Sequence, residues 1–127
     1  MTARLGDLEK EVMDILWDCR AEVCTRDVLA RTSRELAYTT VATVLNNLVR
    51  KGLVERVPAG RTWAYRPVLS RGEYTAAMMT QALSASTDHH ESLLHFVGTM
   101  SEADVRLLRG LLAAGPAQAG EDGDGAS

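Results

Sequence analysis

The sequence predicts a mainly α-helical protein with one small β-hairpin, arranged as a winged helix-turn-helix followed by a helical dimerisation region. Apolar residues recur at helical spacing up to residue 52, the period changes to two across residues 53–67, and helical spacing returns over residues 70–114. We therefore expect a winged-helix domain at residues 1–69 and a dimerisation region at residues 70–114. The remaining residues, 115–127, are small and acidic without periodicity, which predicts a disordered tail.

Two helices are predicted in the first part of the chain. Asp7 is expected to cap the first helix, whose apolar residues follow one buried stripe, and Trp17 beside that stripe is expected to pack in the core. The segment from Ala21 to Cys24 breaks the pattern. Thr25 then begins a second helix, which is predicted to end near residues 33–35.

The stretch Tyr38 to Gly52, YTTVATVLNNLVRKG, is predicted to be a helix with one apolar and one polar face. The apolar stripe consists of Val41, Val44, Leu45 and Leu48. The polar face consists of Thr39, Thr40, Thr43, Asn46, Asn47 and Arg50. This face carries no acid, whereas a merely solvated helix face usually alternates acids with bases. A helix with such a face, joined to a preceding helix by a short turn, is typical of a helix-turn-helix.

Residues 53–67 are predicted to form a β-hairpin, because Val, Trp and Tyr flank a turn that contains Pro and Gly. A hairpin directly after the second helix of a helix-turn-helix is a wing. Arg61 lies at its tip, where it could reach a neighbouring phosphate or groove. We interpret Arg56 and Arg66 on the strands as solvated or as covering the hairpin.

Three further helices are predicted after the hairpin. Their starts have the spacing of helix caps: Ser70 with Glu73, Asp88 with Glu91, and Ser101 with Asp104. These helices carry more apolar surface than so short a unit can bury alone. We therefore expect them to join two copies of the chain in a homodimer.

The net charge of −3 conceals a strong polarisation along the chain. Residues 1–24 hold three bases and six acids, residues 25–71 hold nine bases and three acids, and residues 72–127 hold two bases and eight acids. The central block thus has a net charge of +6 and surrounds the helix predicted at Tyr38 to Gly52. No apolar run approaches the roughly 20 residues of a membrane span, and the N-terminus lacks the apolar region of a signal peptide, so we expect a cytoplasmic protein.

The acid-free helix face, the basic block and the wing together predict binding to double-stranded DNA. Thr, Asn and Arg side chains bond phosphates and base edges, and Asn and Arg can do so in two places on adenine and guanine. The predicted DNA-binding residues are Tyr38, Thr39, Thr40, Thr43, Asn46, Asn47, Arg50 and Arg61.

No enzyme activity, metal site or cofactor is predicted. The spacing of His89, His90 and His95 does not place three imidazoles on one helical face. Cys19 and Cys24 are interpreted as free thiols, with a redox pair across the first loop as the alternative. The sequence contains no phosphate-cradling glycine motif, no nucleophile with a plausible base and no carboxylate pair in an apolar setting.

Four stretches resemble the penicillinase-repressor (BlaI/MecI) family of bacterial winged-helix regulators. They are LGDLEKEVMDILW at 5–17, AYTTVATVLNNLVRKGLVER at 37–56, TWAYRP at 62–67 and LLHFVGTMSEADVRLLRGLL at 93–112. The resemblance implies a homodimer whose winged helices bind a two-fold operator and whose C-terminal helices hold the dimer together. It also implies a role in the antibiotic response.

In that family, the signal of a membrane sensor leads to proteolytic cleavage inside the dimerisation region. The resemblance aligns the cleaved bond with His95 and Phe96, although the best-known members have Asn before the Phe. Bases often stand at the positions that match Asn46 and Asn47, so a different operator preference is expected. The cysteine-rich C-terminus of copper-responsive relatives is missing here, which argues against metal sensing.

Two alternatives from the sequence are a winged-helix module that docks a protein partner and a repressor that a small ligand releases. The +6 charge of residues 25–71 and the acid-free helix face argue against the first alternative. No obvious pocket in the sequence supports the second.

Overall fold

The computed structural model describes residues 5–115 and places six helices and three strands in them. In chain order these are α1 (Asp7–Asp18), β1 (Val23–Cys24), α2 (Thr25–Arg31), α3 (Tyr38–Arg50), β2 (Val54–Ala59), β3 (Thr62–Pro67), α4 (Arg71–Ser84), α5 (His89–Thr99) and α6 (Glu102–Ala114). They form two compact units, the first ending at Ala82 and the second beginning at Leu83. The predicted fold class is confirmed. The predicted tail lies outside the described residues except for Gly115.

The core of the first unit lies between α1, α2, α3 and the sheet. Its largest fully buried side chains are Met13, Leu16, Leu45, Leu48, Val12, Val28, Val41 and Val54. All four residues of the predicted α3 stripe are buried. Burial of one face therefore fixes which side chains of α3 point to solvent.

The sheet has three antiparallel strands in the order β1-β3-β2. The hairpin of β2 and β3 turns at Gly60, whose positive φ of 66° favours glycine. The third strand was not predicted. It arises because Val23 and Cys24 pair with Tyr65 and Ala64, and two residues are too short for a sequence to show an alternating pattern.

Two helix boundaries differ from the prediction. Gly6, rather than Asp7, is the N-cap of α1, and its N–H donates to Glu9 Oε1 at 3.0 Å. The helix α2 ends at Arg31 instead of continuing to residues 33–35. Thr32 turns to an extended conformation, and its hydroxyl donates to the Leu29 carbonyl at 2.8 Å. This side-chain bond competes with helix continuation.

The first turns of α4 pack on α1. The predicted capping box is present, because Ser70 Oγ accepts the Glu73 N–H and the Glu73 carboxylate accepts the Ser70 N–H. Trp17 Nε1 donates to the Leu69 carbonyl at 2.9 Å, and the Trp17 ring lies 5.6 Å from the Tyr74 ring, centroid to centroid. The indole of Trp17 therefore attaches α4 to the winged helix.

The second unit contains α5 and α6. Asp88 and Ser101 cap these helices, accepting the N–H groups of Glu91 and Asp104 as predicted. Neither helix has a buried residue. Their exposed large apolar side chains are Leu93, Leu94, Phe96, Val97, Leu107, Leu108, Leu111 and Leu112. Within residues 5–115, no helix is both long and apolar enough to cross a membrane.

Candidate nucleic-acid interface

The solvent face of α3 carries the polar side chains that the sequence assigned to it. Tyr38, Thr39, Thr43, Asn46 and Arg50 are exposed. Thr40 and Asn47 are half-buried, and the first turn of the helix holds no acid. Seven of the eight predicted DNA-binding residues thus share one helix, and five of them are open to solvent.

Two of these residues are joined to each other. The Arg50 guanidinium donates a hydrogen bond to the side-chain oxygen of Asn47, three residues earlier. This bond restricts the directions in which Arg50 can point. It leaves the other guanidinium N–H groups available, because Arg has five donors.

The turn between α2 and α3 is fastened to α1 by Glu11. One carboxylate oxygen accepts the Ser33 N–H at 2.7 Å and the Ser33 hydroxyl at 2.9 Å, and the other accepts from Arg34 at 3.1 Å and 3.2 Å. These bonds, led by the Ser33 backbone N–H, lower the pKa of Glu11. The ionised carboxylate therefore fixes the chain just before α3 begins.

The other end of α3 is held by a second glutamate of α1. Lys51, directly after the helix, donates to Glu9 Oε1 at 2.7 Å. Burial acts to raise the pKa of Glu9, but the hydrogen bonds from Lys51 and from the Gly6 N–H outweigh it and lower this pKa. Gly52 follows with a positive φ of 80°, which ends the helix as predicted.

Ion pairing divides the nine bases of residues 25–71 into two groups. Four are paired: Arg34 with Glu11, Lys51 with Glu9, Arg66 with Glu22 and Glu55, and Arg71 with Asp14 and Asp18. The five for which no carboxylate of the described residues lies within ion-pair distance are Arg26, Arg31, Arg50, Arg56 and Arg61. The unpaired positive charge is therefore carried by α2, α3 and the wing.

The wing places Arg61 as the sequence predicted, exposed and next to Gly60 at the turn. The sequence did not reveal that the Arg56 guanidinium lies over the Trp63 ring, 4.8 Å from its centroid. The cross-strand register brings these two side chains together. Alternation along the strands was the available signal in the sequence. It predicts the contact between Arg56 and Trp63 only if the cross-strand pairs of the hairpin are known.

The remaining candidate residues lie elsewhere. His95 and Phe96 are exposed on α5, in the second unit. The described residues contain no group of His, Cys, Asp or Glu that could hold a metal ion. Both cysteines are free, and Cys19 Sγ accepts a hydrogen bond from Arg31 at 3.6 Å.

Comparison with known proteins identifies the family of the chain. Residues 5–114 match the family model described as penicillinase repressor. The chain belongs to the penicillinase-repressor family. Its resemblance to that family, carried by four stretches of sequence, is thereby confirmed.

Within the penicillinase-repressor family, the chain is similar to the transcriptional regulator BlaI of Mycobacterium tuberculosis. The two are 41% identical over 115 residues, which are 87% of this chain and 83% of that protein. The penicillinase repressor of Bacillus licheniformis is 27% identical over 73 residues, which are 56% of each chain.

A solved structure supports the fold of the first unit. The solution structure of the DNA-binding domain of the repressor BlaI matches with a TM-score of 0.50 and 28% sequence identity. The match covers 58% of this chain and 92% of that one. A winged helix is therefore the common fold of the two proteins.

Proposed function

We propose that the protein is a sequence-specific transcriptional repressor that binds a two-fold DNA operator as a homodimer. Membership of the penicillinase-repressor family and the winged-helix fold support DNA binding. The observation that carries the proposal is the solvent face of α3, which combines exposed Thr, Asn and Arg side chains with no acid. Such a protein acts where the chromosome is, in the cytoplasm, and needs no catalytic residue.

In this proposal, α3 lies in the major groove. Thr39 and Thr43 contact phosphates or thymine methyl groups, and Arg50 contacts a base edge or a phosphate. The bond from Arg50 to Asn47 restricts the directions in which the guanidinium can point. Arg61 at the wing tip reaches the flanking backbone.

The second unit supports the homodimer. Its helices α5 and α6 bury no residue, while Leu94, Leu107 and Leu112 are each more than 60% exposed. Many exposed large apolar side chains on two consecutive helices are typical of an association surface. A second copy of the chain would cover it and would present two reading helices to the two halves of the operator.

Release of the operator is proposed to follow cleavage between His95 and Phe96 by a protease downstream of a membrane sensor. This bond lies inside the helix α5, although both side chains are exposed. A protease acts on a locally opened chain, so cleavage requires α5 to open first. It would separate α6 and the last part of α5 from the winged helix, and with them six of the eight exposed large apolar side chains of the second unit.

Protection mapping on the DNA upstream of the gene that encodes the chain tests the proposal. The expected result is two protected half-sites whose centres are one helical turn, or a multiple of it, apart. Protection of a single unrepeated site would contradict the homodimer. Retention of no upstream fragment, even at low salt, would contradict the proposed operator and favour docking to a protein partner.

A further inference from the structure

The two arginines on the strands of the wing differ in whether carboxylates lie near them. Arg66 donates to Glu22 at 2.8 Å and to Glu55 at 3.2 Å, and Glu55 is the main cause of the raised pKa of Arg66. Arg56 has no carboxylate within ion-pair distance among residues 5–115 and instead lies 4.8 Å from the centroid of the Trp63 ring. Two carboxylates balance the charge of Arg66, and none balances the charge of Arg56.

The strand register assigns the two arginines to different faces of the hairpin. Arg56 is opposite Tyr65, and Pro58 is opposite Trp63, so these four side chains share one face. Val54 lies on the same face, where it and Tyr65 are buried in the core. This is the face that packs on the helices, and Arg56 and Trp63 continue it toward the wing tip.

The ion pair of Glu55 and Arg66 lies on the other face. Glu55 is directly opposite Arg66 in the register, one position along from Arg56 and Tyr65. The two strands are therefore polarised, with their unpaired arginine on the face that continues from the helices. A duplex that receives α3 in its major groove would place its flanking backbone near a wing face of this kind.

The contact with Trp63 suits Arg56 to bind phosphate. An aromatic face attracts the guanidinium through its charge and leaves the N–H groups at the guanidinium edge free to form two parallel hydrogen bonds. Trp63 remains 44% exposed, so DNA can approach the pair. Arg66, with its donors already directed to two carboxylates, cannot do the same without losing them.

We propose that Arg56 binds a phosphate of the operator backbone and that Trp63 is the residue that positions it. The inference rests on the proposed function and adds a phosphate contact beyond α3 and Arg61. Because phosphates carry no base identity, this contact sets affinity and register for any duplex and leaves base preference to α3.

The test is the salt dependence of binding, measured by fluorescence anisotropy on two duplexes. One duplex is selected by the wild-type protein from a random-sequence library, and the other is an unselected mixed-sequence duplex of equal length. Arg56→Gln should weaken binding to both by the same factor. It should lower the slope of log affinity against log salt by about one for each winged helix.

Arg66→Gln is the matched control, because it removes the same charge from the same hairpin. Its slope should stay at the wild-type value. For the positioning role, Trp63→Phe should preserve affinity, since the ring remains, whereas Trp63→Leu should lower it without changing the charge of the protein.

An unchanged slope for Arg56→Gln, or equal effects of Arg56→Gln and Arg66→Gln, would contradict the phosphate contact while the binding of the wild-type protein still supports the proposed function. Wild-type affinity of Trp63→Leu would contradict positioning by the ring. Failure of the wild-type protein to bind either duplex would contradict both proposals. Thermal unfolding of each variant verifies that the compared proteins are folded.

Discussion

Glu11 on α1 accepts the backbone N–H of Ser33 at 2.7 Å, across 22 positions of sequence. Ser33 lies in the connection between α2 and α3, so a single carboxylate fixes the turn of the helix-turn-helix to the helix behind it. Glu9 does the same after α3, through Lys51. The acidic N-terminal helix therefore holds α3 at both ends.

Removal of the Glu11 carboxylate is predicted to lower stability near neutral pH and to have less effect in acid. The folded-state pKa of Glu11 lies below its ordinary value of 4.5, so the stabilisation is fully present above that value and is lost as the pH falls through the lower folded value. Glu11→Gln should therefore be less stable than the wild-type protein near neutral pH. The difference should shrink in acid.

Urea unfolding across the acid range measures this effect. Glu35→Gln is the control, because Glu35 is an exposed acid of the same connection. Parallel pH profiles for Glu11→Gln and the wild-type protein would contradict the role assigned to Glu11.

Trp17→Phe is predicted to loosen the attachment of α4. The ring contact with Tyr74 is kept, but the Leu69 carbonyl loses the indole N–H that lies 2.9 Å away. The loss of such a bond costs about 1 kcal/mol of unfolding free energy. Trp63→Phe, at an exposed ring of the wing, should change the unfolding free energy by less than about 0.5 kcal/mol. Equal losses for the two variants would contradict the attachment.

Asn47 and Arg50 are predicted to act as one unit in DNA binding. Asn47→Ala should lower affinity partly by releasing Arg50. The loss from the double variant Asn47→Ala, Arg50→Ala should therefore be smaller than the two single losses combined. Anisotropy titrations of the four proteins complete the cycle. Strictly additive losses would show that the hydrogen bond has no role in recognition.

A chain that ends at His95 is predicted to be monomeric and to bind DNA weakly. It keeps the whole first unit but lacks the last part of α5 and all of α6. Loss of the second reading helix should reduce affinity for a two-site duplex by about 100-fold to 10,000-fold. Its affinity for a single half-site should match that of one winged helix of the full-length protein. Sedimentation and anisotropy measure both quantities, and a dimeric fragment would refute the assignment of the dimer contacts.

Much of this fold follows from local signals in the sequence. The helix α3 and its buried stripe follow from the spacing of Val41, Val44, Leu45 and Leu48, and the caps at Ser70, Asp88 and Ser101 follow from residues three positions apart. Signals of this kind involve neighbours in the chain, so no knowledge of the tertiary structure is needed to interpret them.

Long-range pairing set the limits of the sequence prediction. The strand β1 exists only because Val23 pairs with Tyr65, and the chain after α2 is held by Glu11, which accepts the N–H of Ser33 from 22 positions away. The net charge of +6 over residues 25–71 likewise does not show which arginines form ion pairs. Which of these arginines stay unpaired was decided by acids far away in the sequence, such as Glu22 beside Arg66.

The central claim is that the solvent face of α3 contacts DNA, and Thr43→Ala and Arg50→Ala test it most directly. Lys10→Ala, which changes an exposed base of α1, is the control. Anisotropy titration on a duplex selected by the wild-type protein should show a loss of about 1 to 3 kcal/mol of binding free energy for Arg50→Ala if it contacts a base, or a lower salt slope if it contacts a phosphate. Thr43→Ala should also bind more weakly, and Lys10→Ala should not. Wild-type affinity and salt slope for both α3 variants would contradict the claim.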